Sequence, residues 1–134
     1  MFLQPKKVKY KKLRKGKLSK LEYKTISLKF GTIGLKACES GTISAKQIEA
    51  ARQAINRKLA RKGKIWIRIF PNYPITKKPI EVRMGKGKGP VNHWAARISG
   101  GTILFEICGV SRDKAISAFN SGSSKLPIKT IILE

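Results

Sequence analysis

The sequence has few acidic residues and a single histidine, and both shortages exclude kinds of catalytic site. Only 7 Asp and Glu occur among 134 residues, and they are scattered singly along the chain. No two of them are spaced as the paired carboxylates of general acid–base catalysis, and most are expected in salt bridges with the many cations. The one histidine, His93, has no carboxylate within several residues, so a structural role beside Trp94 is expected. The sequence therefore predicts a protein that is not an enzyme and that uses no cofactor.

Cysteine and long apolar runs are equally sparse. Cys38 and Cys108 lie far apart and form no Cys-x-x-Cys pair, so two small buried thiols in a reducing compartment are expected, without a disulfide or a metal site. No run of about 18 apolar residues exists, which predicts that no segment spans a membrane. Residues 1–5 lead straight into lysines and show neither the apolar segment of a secretory signal nor the pattern of an import peptide.

Positive charge is what the chain has in excess. Its 30 Lys and Arg against 7 Asp and Glu give a net charge of +23. Such a surplus destabilises a compact state by self-repulsion, and nucleic acid relieves it because bound cations release counterions condensed on the polyanion. An anionic membrane surface is the weaker alternative, since no basic amphipathic helix with a bulky apolar face stands out. With 41% hydrophobic residues the chain is also able to bury a core, so a folded nucleic-acid-binding protein is favoured.

The cations are densest at the N-terminus. Residues 1–20 form a basic arm with no acid before Glu22, and residues 21–134 are expected to form a single α+β domain. Lys and Arg in such an arm contact phosphates without reading sequence. The rings of Tyr10 and Tyr73 are suited to stacking on exposed bases. The arm residues expected to bind nucleic acid are Lys6, Lys7, Lys9, Tyr10, Lys11, Lys12, Arg14 and Lys15.

Alternating apolar residues predict the strands. They indicate strands over residues 24–30, 64–70, 93–98, 102–108 and 128–133. The turn Ser99-Gly100-Gly101 is expected to join the third and fourth of these as a hairpin. The prolines at 71, 74 and 79 are expected to interrupt regular structure between them. The aromatic residues expected in the core are Trp66, Phe70, Trp94 and Phe105.

Two helices are predicted from their caps and their apolar stripes. Ser44 and Gln47 have the spacing of a capping box, and a stripe at helical spacing follows, with Gly63 as the stop. Ser111 is expected to cap a second helix that ends at Gly122. The stripe of the first helix is Ile48, Ala51, Ile55 and Leu59. The elements together predict an α+β fold in which two helices pack on a mainly antiparallel sheet.

A Gly-rich loop, residues 83–90, interrupts the domain, and its composition excludes a stable helix or a central strand. A nucleotide-binding P-loop needs fixed glycine spacing and a hydroxyl after the lysine, and both are missing here. The dinucleotide fingerprint fails as well, because Pro90 follows where its pattern requires glycine. We interpret the loop as a cationic finger that reaches toward phosphates, with a solvated hairpin tip as the alternative.

Eight stretches that follow one another over nearly the whole chain resemble the uL16 family, the bacterial-type large-subunit ribosomal proteins L-sixteen. The matching stretches are residues 3–6, 30–37, 47–52, 63–68, 74–76, 82–89, 104–106 and 125–130. Any one of them alone is unspecific, but their common order is specific. The resemblance implies an α+β sandwich in the central protuberance region of the large subunit, packed between helices of the rRNA.

The same resemblance implies partners and a site. Family members border the place where aminoacyl-tRNA enters, and they send the Gly-rich loop toward the peptidyl-transferase region. The implied partners are large-subunit rRNA, tRNA and neighbouring large-subunit ribosomal proteins, with no membrane and no small-molecule substrate. The family commonly has a second arginine where this chain has Gln53, and residues 90–94 lack the acidic, tyrosine-containing bacterial pattern. The positions implied to contact rRNA or tRNA are Arg52, Arg57, Arg83, Met84, Gly85, Lys86, Gly87, Lys88 and Gly89, and no metal site is implied.

The resemblance leaves two compartments open. The chain begins at the family's own start without an import peptide, which fits a bacterial protein or one encoded inside an organelle. Residues 96–99 and 103–106 resemble mitochondrial members, so the mitochondrial ribosome is the predicted location and the bacterial cytoplasm the alternative. A free-standing basic RNA- or DNA-binding regulator is the alternative function, although neither a dimer interface nor a groove-reading helix stands out.

Overall fold

The computed structural model describes residues 3–18 and 21–134, and within these ranges two antiparallel sheets and two helices form the fold. One sheet has the strand order β3-β6-β1-β7 and the other β2-β5-β4. The elements are β1 (Ile33–Ala37), β2 (Gly41–Ser44), α1 (Ala45–Lys58), β3 (Lys64–Ile67), β4 (Tyr73–Thr76), β5 (Val91–Ile98), β6 (Ile103–Cys108), α2 (Arg112–Ser123) and β7 (Thr130–Leu133). The predicted α+β class, with two helices on antiparallel sheets, is confirmed.

Helix α1 begins as its capping residues predict. The Ser44 hydroxyl accepts a hydrogen bond from the Gln47 N–H at 3.3 Å, and the Gln47 side chain accepts one from the Ser44 N–H at 2.9 Å. The predicted stripe is buried in the core, where α1 packs against α2 and the three-stranded sheet. The helix ends at Lys58, before Gly63, because Ala60 and Arg61 turn into the left-handed region with φ of 50° and 62°.

Helix α2 begins after Ser111, as predicted, but Gly122 does not end it. The helix continues to Ser123, and Gly122 is buried inside it. A Cβ atom at Gly122 would lie 2.5 Å from Cγ1 of Ile55 on α1. The glycine therefore serves the close approach of the two helices rather than the helix end.

The predicted strand over residues 24–30 is wrong, and a buried carboxylate explains why. Residues 22–31, which we name the strap, lie against β6 without strand geometry. The N–H groups of Phe30 and Gly31 donate to Glu106 Oε2 at 2.7 Å each, so they are satisfied without a neighbouring strand. Leu28 contributes apolar contact, because its Cδ2 lies 2.4 Å from where a Cβ on Gly34 would be. Real strand geometry starts only at Ile33.

The predicted hairpin is also wrong, although both of its strands exist. Strand β5 pairs with β2 and β4, whereas β6 pairs with β1 and β3, so the turn carries the chain from one sheet to the other. The Gly101 N–H donates to the Ala37 carbonyl at 2.7 Å, and the Gly100 N–H donates to the Ser40 hydroxyl at 3.0 Å. These bonds hold the turn against other parts of the chain instead of closing a hairpin.

Several smaller expectations change in the structure. Pro74 lies inside β4 rather than interrupting it, which is possible because β4 is an edge strand. The strand expected over residues 64–70 ends at Ile67, and Phe70 is 50% exposed rather than in the core. Both cysteines are free thiols, but Cys38 is exposed and Cys108 only half-buried, so the expectation of two buried thiols is wrong. No helix of the described part is long and apolar enough to cross a membrane.

Candidate nucleic-acid interface

The basic arm lies against the body of the protein along the three-stranded sheet. The Tyr73 hydroxyl donates a hydrogen bond to the Arg14 carbonyl at 2.7 Å, and the Arg97 guanidinium donates to the Lys17 carbonyl at 3.1 Å. Near the start of the arm, Leu3 packs on the core. The ends of the predicted arm, residues 1, 2, 19 and 20, lie outside the described residues. The arm is therefore docked mainly through its backbone, and most of its described side chains are exposed.

The arm and the Gly-rich loop are tied together by two lysines. Lys12 Nζ donates to the Lys88 carbonyl at 2.8 Å, and Lys88 Nζ donates to the Leu13 carbonyl. We name this reciprocal pair the arm–loop latch. It joins residues 76 positions apart in the sequence, so two cationic segments that look independent in the sequence form one surface.

The predicted binding residues of the arm, and most of those in the loop, are exposed, and their contact with nucleic acid stays a prediction. Tyr10 is 62% and Met84 95% exposed, and Gly89 is half-buried. In the described part of the chain, no cation of the arm or loop lies within ion-pair distance of a carboxylate. The exposed predicted residues are Lys6, Lys7, Lys9, Tyr10, Lys11, Lys12, Arg14, Lys15, Arg83, Met84, Gly85, Lys86, Gly87 and Lys88.

The loop requires glycine for two different reasons, a left-handed backbone and a close approach to another segment. Gly85, Lys86 and Gly87 have φ of 97°, 52° and 87°, so three consecutive residues are left-handed. A Cβ at Gly85 or Gly87 would meet nothing within 4 Å, whereas one at Gly89 would lie 2.7 Å from the Lys77 carbonyl. Strand β5 follows the loop, so there is no helix N-terminus to hold a nucleotide phosphate, in agreement with the missing P-loop motif.

Tyr73 does not serve as the exposed stacking ring that its sequence context suggests. Its hydroxyl bonds to the arm, and the guanidinium of Arg97 lies over its ring, 5.1 Å from the centroid. Tyr73 and Arg97 are thus the residues that hold the arm, and sequence reasoning missed this role for both. Lys15, Lys88 and Arg97 border a cleft of about 560 Å³ between the arm and the sheet.

The two arginines predicted on α1 are not brought together. Five positions along a helix place Arg52 and Arg57 about 140° apart around its axis. Arg52 is half-buried and pairs with Glu49, at 2.7 Å from Nη2 and 3.0 Å from Nε, whereas Arg57 is exposed in the last turn. The hydrogen bond from Arg52 lowers the pKa of the Glu49 carboxyl and raises the pKa of the Arg52 guanidinium. The guanidinium of Arg52 is therefore partly neutralised by Glu49 within the protein.

Among the described residues, four of the seven Asp and Glu form ion pairs, as the sequence led us to expect. Besides Glu49, they are Glu106 with Arg68, Glu134 with Arg112, and Glu39 with Lys129. His93 is half-buried, and its Nδ1 lies 3.3 Å from Nδ2 of the neighbouring Asn92. Within the described ranges no three His, Cys, Asp or Glu side chains gather where they could hold a metal ion.

Removing the hydroxyl of Tyr73 is expected to loosen the arm. One lost hydrogen bond of about 1 kcal/mol would raise the population of the undocked arm roughly fivefold. Tyr73→Phe should therefore speed tryptic cleavage after the lysines of residues 11–17 by a similar factor. The matched control is Tyr23→Phe, since Tyr23 is 76% exposed. Equal cleavage rates in the two variants would contradict the docking role.

Comparison with known proteins identifies the family of the chain. The family model for ribosomal protein L16p/L10e matches residues 5–133. Proteins named large ribosomal subunit protein uL16 align over almost all of the chain. The one from Halorhodospira halophila is 54% identical over 129 residues, covering 96% of this chain and 94% of its own. Those from Psychrobacter arcticus and Buchnera aphidicola are 52% and 53% identical, covering 99% and 98% of this chain and 97% and 96% of their own. The chain belongs to the ribosomal protein L16p/L10e family, whose members are structural proteins of the ribosome and not enzymes.

Proposed function

We propose that the protein is a structural constituent of the large ribosomal subunit that binds rRNA and positions tRNA at the A site, near the peptidyl-transferase centre. The observation that carries the proposal is the arm–loop latch, which combines two segments of unpaired cations into one continuous basic surface. Phosphate contacts from such a surface fix orientation without reading sequence. Family membership and relatives named as large-subunit proteins support the same partner.

Within this surface the two segments have separate tasks. The arm cations would neutralise rRNA phosphates, because their backbone is already docked and their side chains point to no carboxylate of the described chain. The loop, with Arg83 and Met84 exposed near its tip, would reach tRNA or the rRNA around it. On α1, exposed Arg57 is the stronger candidate for a backbone contact, since Arg52 is engaged by Glu49. Neighbouring large-subunit proteins complete the proposed partners.

Co-sedimentation with large-subunit particles tests the proposal as a whole. The chain should sediment with the particles at moderate salt and dissociate at high salt, because released counterions drive the association. The control is a neutral protein of similar size. A chain that stays in the supernatant at moderate salt would contradict a place in the large subunit.

Arg83→Ala is expected to slow tRNA accommodation or peptide formation while the subunit still assembles. Arg83 is exposed in the loop and no described carboxylate pairs with it, so its loss removes an outward contact and not a structural one. One charge-assisted hydrogen bond is worth at least about 1.4 kcal/mol, which corresponds to roughly a tenfold slower step. Reconstituted ribosomes provide the measurement, with Arg83→Lys as the charge-conserving control. Unchanged rates in fully assembled particles would refute this role.

The same comparisons also bear on the location of the protein and on the alternative function. The relatives named above are bacterial, which supports the bacterial cytoplasm, while the mitochondrial ribosome stays a prediction from residues 96–99 and 103–106. A free-standing RNA- or DNA-binding regulator is disfavoured, because membership of a ribosomal family predicts a stable place in a particle. A free pool of the protein that exceeds the ribosome-bound pool would favour the regulator.

A further inference from the structure

We propose that Phe30 and Trp66 form a stacking site for an unpaired nucleobase of RNA, separate from the arm–loop surface. The two rings stack on each other with centroids 6.0 Å apart and planes inclined by 19°. Phe30 belongs to the strap and Trp66 to β3, so this aromatic platform lies on the four-stranded sheet, whereas the arm lies on the three-stranded one. The proposal rests on RNA being the partner of the protein.

Exposure of the platform is the first argument. Phe30 is 55% exposed, and Trp66 is half-buried. An aromatic pair at the surface of a folded protein leaves apolar area in water that a third ring would cover. The hydrogen bond from the Phe30 N–H to Glu106 fixes the backbone at Phe30, and stacking on Trp66 restrains its ring before any partner binds. A pre-ordered ring loses little conformational entropy on stacking.

Charge decides between a nucleobase and an apolar protein surface. Lys64 is exposed, and its Nζ lies 5.1 Å from the centre of the Trp66 ring. The Arg68 guanidinium lies 5.2 Å from the centre of the Phe30 ring, but its side chain is only 11% exposed and pairs with Glu106. Lys64 is therefore the cation that a phosphate can reach. The carboxylate beside the platform, Glu106, is fully buried and paired with Arg68, so it presents no charge to repel a phosphate. An exposed lysine next to stacked rings fits a base together with its phosphate, which is the pattern of single-stranded nucleic-acid sites.

Two short RNA strands of equal length distinguish binding by base stacking from binding by phosphate charge. One is oligouridine, and the other is its abasic counterpart, which keeps the phosphates and lacks the bases. The chain has two tryptophans, so in a Trp94→Phe background all tryptophan fluorescence comes from Trp66 and reports its contact with a base. We expect oligouridine to quench Trp66 at a salt concentration where the abasic strand no longer binds. Equal quenching by both strands, or none by either, would overturn the stacking site.

Phe30→Leu is the decisive variant, because leucine keeps apolar contact with Trp66 and removes the ring. It should weaken binding of oligouridine about fivefold or more and leave binding of the abasic strand unchanged. Phe70→Leu is the matched control, since Phe70 is 50% exposed outside the platform. Equal affinities of Phe30→Leu and wild type for oligouridine would overturn the site but leave the proposed function intact, and would point to a protein on this surface. If Phe30→Leu fails to fold, the quenching of Trp66 in the folded parent decides alone.

Failure of the proposed function has a different signature. If the parent chain binds neither strand even at low salt, RNA is not its partner. Both the stacking site and the RNA-binding role of the arm–loop surface are then refuted. If both strands bind at low salt and only the preference for bases is absent, the basic surface stands and the platform alone is refuted.

Discussion

Glu106→Gln is expected to lower the free energy of unfolding by about 3–5 kcal/mol, the range observed when one partner of a buried ion pair is removed. The Glu106 side chain is fully buried, and the Arg68 side chain that pairs with it is only 11% exposed. Glutamine has nearly the same volume, so the change removes charge without opening a cavity. What remains is a guanidinium in the interior without its counter-charge.

The hydrogen bonds around Glu106 enlarge the effect. Its carboxylate accepts from the N–H groups of Lys29, Phe30 and Gly31 as well as from Arg68. Every neighbour in this set is a donor, and a glutamine amide would add two further N–H donors where acceptors are required. We therefore expect the strap to lose its anchor, which chemical denaturation and hydrogen exchange of the amides of residues 29–31 would both detect.

Glu134→Gln provides the matched control for the same substitution at an exposed pair. Glu134 pairs with Arg112 at 2.8 Å, and the two side chains are 45% and 65% exposed. Exposed pairs of this kind contribute about 0–1 kcal/mol. If both variants changed the free energy of unfolding by the same small amount, Glu106 would not be the anchor that the structure indicates.

Acid should reproduce part of the effect of the Glu106 substitution. Burial, the largest single influence, raises the pKa of the Glu106 carboxyl, but hydrogen bonds from Gly31, Phe30, Arg68 and Lys29 together lower this pKa below its ordinary value of 4.5. A lowered pKa in the folded state means that the carboxylate stabilises the fold fully above pH 4.5 and loses this contribution as the pH falls through the folded-state pKa. The wild type should therefore lose stability more steeply in acid than Glu106→Gln, and parallel curves would contradict this.

The second large effect concerns RNA binding by the arm. Replacing Lys6, Lys7 and Lys9 by glutamine is expected to reduce the affinity for rRNA roughly a hundredfold at physiological salt and to flatten the slope of log affinity against log salt by about 2–3. The three lysines are exposed and lie outside the arm–loop latch, so the arm should stay docked. Filter binding across a salt titration gives both quantities.

An equal change of charge elsewhere in the chain distinguishes a specific contact between the arm and RNA from an effect of the overall charge. The control variant replaces Lys62, Lys114 and Lys125, exposed lysines outside the arm and the Gly-rich loop, by glutamine. Both variants lower the net charge of +23 by the same amount. Identical salt slopes for the two would mean that only overall charge matters and that the arm has no special contact with RNA.

Features whose partners are close in sequence could be predicted, and features with distant partners could not. The cap of α1 involves Ser44 and Gln47, three positions apart, and its buried stripe follows from helical periodicity. The strap was mistaken for a strand because alternation shows which side chains are apolar and not where the N–H groups bond. Its acceptor is a side chain 75–77 positions away. The turn at residues 99–101 is likewise compatible with a hairpin until the pairing partners of β5 and β6 are known.

The candidate site shows the same division. Charge and glycine content indicated the arm and the loop, whose described cations are exposed, and their binding to nucleic acid stays a prediction. The latch could not be foreseen, because a lysine that donates to a backbone carbonyl requires no particular residue at the acceptor. For the same reason the ring of Tyr73 looked available, whereas its hydroxyl and the overlying Arg97 are used to hold the arm.

The position of β6 within its sheet also affects how the molecule can be made. Strand β6, residues Ile103–Cys108, pairs with both β1 and β3, yet it is among the last elements in chain order. A nascent chain that emerges N-terminus first therefore exposes the strap and both partner strands, β1 and β3, before the strand and the carboxylate that complete them have been made. Folding of this sheet has to wait until translation has passed residue 108, whereas the residues that hold the arm, Tyr73 and Arg97, are already made by then.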